Sequence, residues 1–164
     1  MKAKLTPAVE RFLRIAKEVG DECGDTGMVQ CAVEAEADYR AGRVYEAPWR
    51  WDQCRSWLDA WLYIYRRARL HDGVHMQHDG EVARFVVWVG HEFSDTMVDW
   101  LERFHAALGA CKGLTHLRLV DTCVTDDGLN RIRRLFPEVS IESFSEADVE
   151  ADSMLMYPPG RYEA

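Results

Sequence analysis

Residues 114–141 read LTHLRLVDTCVTDDGLNRIRRLFPEVSI, and no other stretch restricts the fold of this chain as much. Leu117 and Leu119 stand two apart, the spacing of side chains that leave one strand on the same face. Thr125 or Asp126 can then accept the free N–H groups that open a helix. Leu129, Ile132 and Leu135 recur at helical spacing and share one face. Pro137 stops that helix, because its ring lacks the N–H and clashes with the preceding turn. Val139 to Ile141 reads as a further strand. A strand, a tight turn, a helix and another strand give parallel neighbours joined by a right-handed crossover.

The same unit occurs earlier. Val86 and Trp88 precede Leu117 and Leu119 by 31 positions, Phe93-Ser94-Asp95 precede Val124-Thr125-Asp126 by the same offset, and Val98, Leu101 and Phe104 precede Leu129, Ile132 and Leu135. The strand of the earlier unit is RFVVWVG, 84–90. Phe85, Val87 and Val89 point one way, Val86 and Trp88 the other, and a strand apolar on both faces is covered on both. Its helix starts at Ser94 and Asp95, turns Val98, Leu101, Phe104, Ala107 and Leu108 inward, and ends near Gly113.

Leu114, Leu117, Leu119, Thr122, Val124, Thr125, Asp126, Gly128 and Leu129 resemble a leucine-rich repeat of the bacterial and cysteine-containing type. The resemblance covers residues 114–141, extends more weakly back to 84, and leaves the first 80 residues outside. The earlier unit has His91 and Met97 where the repeat has Thr or Cys and Gly. The array is also shorter than the three or more repeats of a free solenoid. The resemblance implies a protein-binding platform and not an activity. In an open array the outward strand residues are exposed, here His116, Arg118 and Val120 and, on the third strand, Glu142. The corresponding Phe85, Val87 and Val89 are too apolar to face water. The N-terminal helices are their expected cover, and a partner protein is the alternative.

The first part of the chain reads as helical. Thr6-Pro7 opens a helix with a hydroxyl cap and a proline at the first position. Val9, Phe12, Leu13, Ala16 and Val19 mark its face and Gly20 ends it. A second helix runs from about Met28 to Ala41, with Met28, Cys31, Ala32, Ala35 and Tyr39 on one face and Gly42 as its left-handed stop. Asp52 is a cap for a third helix, whose stripe is Cys54, Trp57, Leu58, Trp61, Leu62, Tyr65 and Ala68. Arg55, Asp59, Arg66 and Arg67 fall off the stripe, toward water. Trp57 and Trp61 read as core, as aromatic pairs mostly are. Val74 to Gln77 forms a short strand, paired through a His-Asp-Gly turn with the next.

Three features bear on chemistry. His71, His75 and His78 cluster near Asp72, Asp79 and Glu81, but on turn sequences and without the spacing of known zinc sites. The five cysteines, at 23, 31, 54, 111 and 123, include no CxxC, and buried structural cysteine is the commoner case. Phosphate-loop, nucleophile-elbow and dinucleotide signatures do not occur. The net charge of −8 disfavours nucleic acid and anionic membranes, which need a basic surface. The N-terminus lacks the apolar core of a signal peptide and no run reaches 18 apolar residues. Reduced thiols in a cytoplasm fit this composition.

The expected fold is α/β, in a single domain over 1–164. Helices over 1–70 pack with a short leucine-rich-repeat-like array over 71–144 that forms a small, mostly parallel sheet. An acidic C-terminal tail over 145–164 follows, read as a solvated end or a short helix from Ser145, with Met154, Leu155, Met156 and Tyr157 able to dock onto the domain. A chain of this length buries roughly 70% of its unfolded surface and needs no metal or disulfide to fold. The expected function is a non-enzymatic protein-binding module without cofactor or metal. Its binding residues are His116, Arg118, Val120 and Glu142, and its concrete form is a regulatory or toxin-neutralising, immunity-type partner of a basic protein. The alternatives are a metal-dependent hydrolase using His71–His78 and a structural subunit of a homo-oligomer.

Overall fold

Both strand–turn–helix units are present in the computed structural model, which describes residues 5–43, 57–68, 74–79 and 82–156. In chain order the elements are α1 (Pro7–Cys23), α2 (Thr26–Arg40), α3 (Trp57–Ala68), β1 (Val74–Asp79), β2 (Val82–Val89), α4 (Asp95–Leu108), β3 (His116–Val120), α5 (Asp126–Leu135), β4 (Ser140–Phe144) and α6 (Glu146–Ala151), closed by a 3₁₀ turn over Ser153–Met156. The fold is α/β. The sheet order is β1-β2-β3-β4, with β1 antiparallel to β2 and β2, β3 and β4 parallel. No helix among the described residues is long and apolar enough to cross a membrane.

The 31-residue offset is the register of the sheet: Val86 pairs with Leu117 and Trp88 with Leu119 across the β2–β3 ladder. The turns repeat as well. Gly90 (φ 97°) and Asp121 (φ 52°) occupy equivalent positions, both left-handed, a conformation that glycine and aspartate adopt at low cost. One unit is latched to the next through Asp95, in the first turn of α4. Its carboxylate accepts from Thr125 N–H at 2.9 Å and from Thr125 Oγ1–H at 2.5 Å. Thr125 Oγ1 caps α5 by accepting from Gly128 N–H at 3.1 Å.

Glycine is required at position 128, where a Cβ would lie 2.8 Å from Asp95 Cγ and 3.0 Å from Val124 Cγ1. Alanine is the better helix former by about 1 kcal/mol. Gly128→Ala is nevertheless expected to destabilise the protein by about 1–3 kcal/mol, because overpacking pushes Asp95 off the cap of α5. Thermal denaturation followed by circular dichroism checks this, and a raised midpoint would contradict the latch.

One apolar core runs from Leu5 to Phe136 on the inner side of the sheet. Val86, Trp88, Leu117 and Leu119 project into it from the strands, while α4 supplies Val98, Trp100, Leu101 and Phe104. Ring contacts join α1 to α4 through Phe12 on Phe104 at 4.6 Å and α3 to α4 through Trp61 on Trp100 at 4.3 Å, and Trp88 of β2 stacks on Phe93 of the following turn at 4.5 Å between centroids. Trp57 is core, with its indole N–H donating to Gly109 O at 2.7 Å.

Several expectations are corrected. α1 continues through Gly20 to Cys23, and the left-handed stop is Gly24 at φ 71°. Gly20 lies inside the helix because a side chain there would collide with Val29 of α2 and approach Trp100. α4 ends at Leu108 on Gly109 (φ 87°), ahead of Gly113. The last strand is Ser140–Phe144, longer at its end than Val139–Ile141. Asp59 does not face water: it is buried, and its carboxylate accepts from Ala83 N–H at 3.2 and 3.4 Å, tying α3 to β2. Arg66 is exposed as expected. Asp52, Cys54 and Arg55 lie outside the described residues.

The outer face of the sheet as candidate functional site

Residues directly opposed in a ladder share a face, so the register defines the outer face in three rows. Gln77, Phe85, His116 and Ser140 form the first, His75, Val87, Arg118 and Glu142 the second, and Val89, Val120 and Phe144 the third. Phe85, Val87 and Val120 are buried and form a second apolar cluster, separate from the core, joined by the partly buried Val89 and Phe144.

Arg118 sits at the centre. Its guanidinium lies 4.9 Å from the Phe85 ring centroid and 5.8 Å from that of Phe144, within the range of cation–π attraction. Nε donates to Glu142 Oε1 at 3.4 Å and Nη1 donates to Leu155 O at 3.1 Å. The Arg118 side chain is 13% exposed and that of Glu142 40%. The His116 ring stacks on Phe85 with centroids 5.5 Å apart, and its Nδ1 is hydrogen-bonded with Thr115 Oγ1 at 2.9 Å. Among the expected binding residues, then, His116, Arg118 and Glu142 meet on one patch and the latter two bond each other. Val120 lies buried beneath it.

The cover of this face differs from expectation. The N-terminal helices spend their apolar stripes on α4 and the inner core. The C-terminal segment lies over the outer face instead, because the chain leaves β4 at Phe144 and enters α6 directly. Ser145 caps α6, accepting from Asp148 N–H at 3.2 Å, while Asp148 Oδ2 accepts from Ser145 N–H at 2.8 Å. The Ser145 N–H and then its hydroxyl hold the Asp148 carboxyl below the usual carboxylate range. Val149 packs on the Phe85–Val87–Val120 cluster. Sequence reasoning missed Val149, a lone valine in an acidic run. Met154, expected to dock, is 45% exposed, and Tyr157 lies outside the described residues.

The other candidates are dispersed. His75 belongs to the outer face by register, whereas His71 and the side chain of His78 lie outside the described residues. Among the described residues no three His, Cys, Asp or Glu side chains are placed to hold a metal ion. Cys23 and Cys123 are exposed thiols, and Cys31 and Cys111 are partly buried. Burial, followed by Asp99, raises the Cys23 thiol above its ordinary value, away from the thiolate a nucleophile needs. Arg131 of α5 is clamped by Glu102 and Asp99 of α4. Lys17 of α1 binds Glu36 of α2, which Arg40 of the same helix also binds, and Lys17 chiefly holds that carboxyl below its ordinary value. Comparison with protein-family models, curated proteins and solved structures gives no significant match to any of them.

Proposed function

We propose that this protein is a non-enzymatic protein-binding module that recognises another protein through the outer face of its sheet. The observation that carries the reading is Arg118. A permanent charge sits among aromatic rings on a backbone fixed by two parallel ladders. Such a group costs little freedom to present and offers a planar fork for a carbonyl or carboxylate. His116 and Glu142 flank it at the surface and supply the specific polar contacts. The regulatory or toxin-neutralising form of the reading rests on the net charge of −8, which would steer a basic partner at long range, while the local contact at Arg118 is to an oxygen acceptor.

The test uses purified partner once co-purification from the native source has identified one. Glu142→Lys and His116→Glu are expected to weaken its capture by about tenfold or more, as reversed charges in an interface do, with the melting curve unchanged. Equal capture by both variants would remove this face as the recognition surface. Arg118→Glu is the poorer probe, because Arg118 also bonds Leu155 O and Glu142, so its loss alters the C-terminal cover together with the face.

A further inference from the structure

We infer that residues 145–156 are a detachable cover, and that the outer face beneath them is a binding surface for a short acidic peptide with one apolar residue, a chemistry the chain supplies to itself. This rests on the recognition reading above only in the choice of face.

The face and its cover are unequal. Beneath, Phe85, Val87 and Val120 are buried. Above, α6 buries none of its side chains, Val149 is half-buried and Met154 is 45% exposed. The segment thus contributes little buried apolar surface of its own to the contact. The segment is also organised within itself. Ser145 and Asp148 bond each other, Asp152 N–H donates to Asp148 O at 3.0 Å, and Leu155 N–H to Asp152 O at 3.2 Å. It can therefore leave the sheet with its own turns satisfied.

Charge complements this arrangement. The segment carries Glu146, Asp148, Glu150 and Asp152 and lies on a face that presents Arg118, paired there with Glu142, with His75 in the same row beyond Val87 and His116 in the neighbouring row. The bond from Arg118 Nη1 goes to a main-chain carbonyl, Leu155 O. A main-chain acceptor belongs to any peptide, so the contact transfers to a ligand of different sequence, and a carboxylate in the same place would strengthen it. Tethering gives the cover an effective concentration near millimolar, so a weak peptide in solution is excluded until the cover is weakened. A protein ligand must either bind more tightly or meet the small open fraction, which lowers its apparent affinity by that fraction.

The experiment uses the full chain and a fluorescein-labelled synthetic peptide of residues 145–156, read by fluorescence anisotropy. Val149→Asp in the full chain loosens the cover. This variant is expected to bind the peptide roughly tenfold or more tighter than the unaltered protein does, and Arg118→Gln added to it should abolish the gain. Circular dichroism verifies that each variant is folded; should Val149→Asp not fold, Val149→Ala replaces it. Hydrogen exchange of the unaltered protein should show the amides of 146–155 opening without those of β3. Peptide binding no tighter in the loosened variant, a gain that survives Arg118→Gln, or cover amides protected as strongly as β3 would each overturn the proposal. A dimer in light scattering would assign the cover to a second copy and overturn it too. Loss of partner capture by Glu142→Lys tests the recognition reading alone, since the peptide experiment involves no partner.

Discussion

Trp100→Ala should lower the stability of the protein by about 3–5 kcal/mol, the cost of removing a large aromatic side chain from a packed core. Trp100 is fully buried and joins three helices: its ring lies 4.3 Å from Trp61 of α3 and 6.3 Å from Phe104 within α4, and it abuts α1 at Gly20. The indole N–H groups of Trp61, Trp88 and Trp100 find no hydrogen-bond partner among the described residues. An unpaired buried donor opposes folding, so Trp100→Phe, which removes the donor and keeps a ring, should cost clearly less than alanine. Urea denaturation followed by far-ultraviolet circular dichroism measures both. A midpoint unmoved by alanine would mean that the ring cluster does not hold the helices together.

Leu119→Ala is the second large effect, with an expected loss of about 2–5 kcal/mol. Leu119 is 1% exposed and pairs in register with Trp88 on one side and Ser143 on the other. It therefore supports the sheet where the two repeated units meet. Relaxation into the space is limited, because both neighbouring strands are fixed by their ladders. The same denaturation experiment applies, and an unchanged midpoint would remove Leu119 from the core and with it the equivalence of the two units.

The region 84–141 was legible because its information is local and periodic. Apolar residues run unbroken along β2 and alternate along β3, recur at helical spacing along α4 and α5, and return after 31 positions. Thr125 declared its cap by residue type, and Asp121 and Gly90 are residues that tolerate left-handed turns. What escaped depends on partners that carry no sequence signal. Asp59 is off the apolar stripe of α3, yet its partner is the main-chain N–H of Ala83, and a main-chain group looks alike at every position. Arg118 reads as an exposed strand charge until the register brings Phe85 and Phe144 diagonally beside it from two other strands. The cover was hidden for a different reason: a single valine among carboxylates has no periodicity, and what it meets is a face assembled from three strands.

The strand order β1-β2-β3-β4 has a kinetic side. Each strand pairs with the next in the chain, closely in the β1–β2 hairpin and through a longer, slower-closing crossover in each parallel pair. α1 is the exception. Its face bearing Phe12 meets Phe104 of α4, and its ion pair from Glu22 waits for Arg103. On a ribosome adding about 5–20 residues each second, α1 emerges many seconds before α4 can receive it, with α2 the nearer surface available in the interval. Until then the apolar face of α1 that meets α4 is left uncovered. Completion of α4, in the middle of the chain, is the event that ends that exposure.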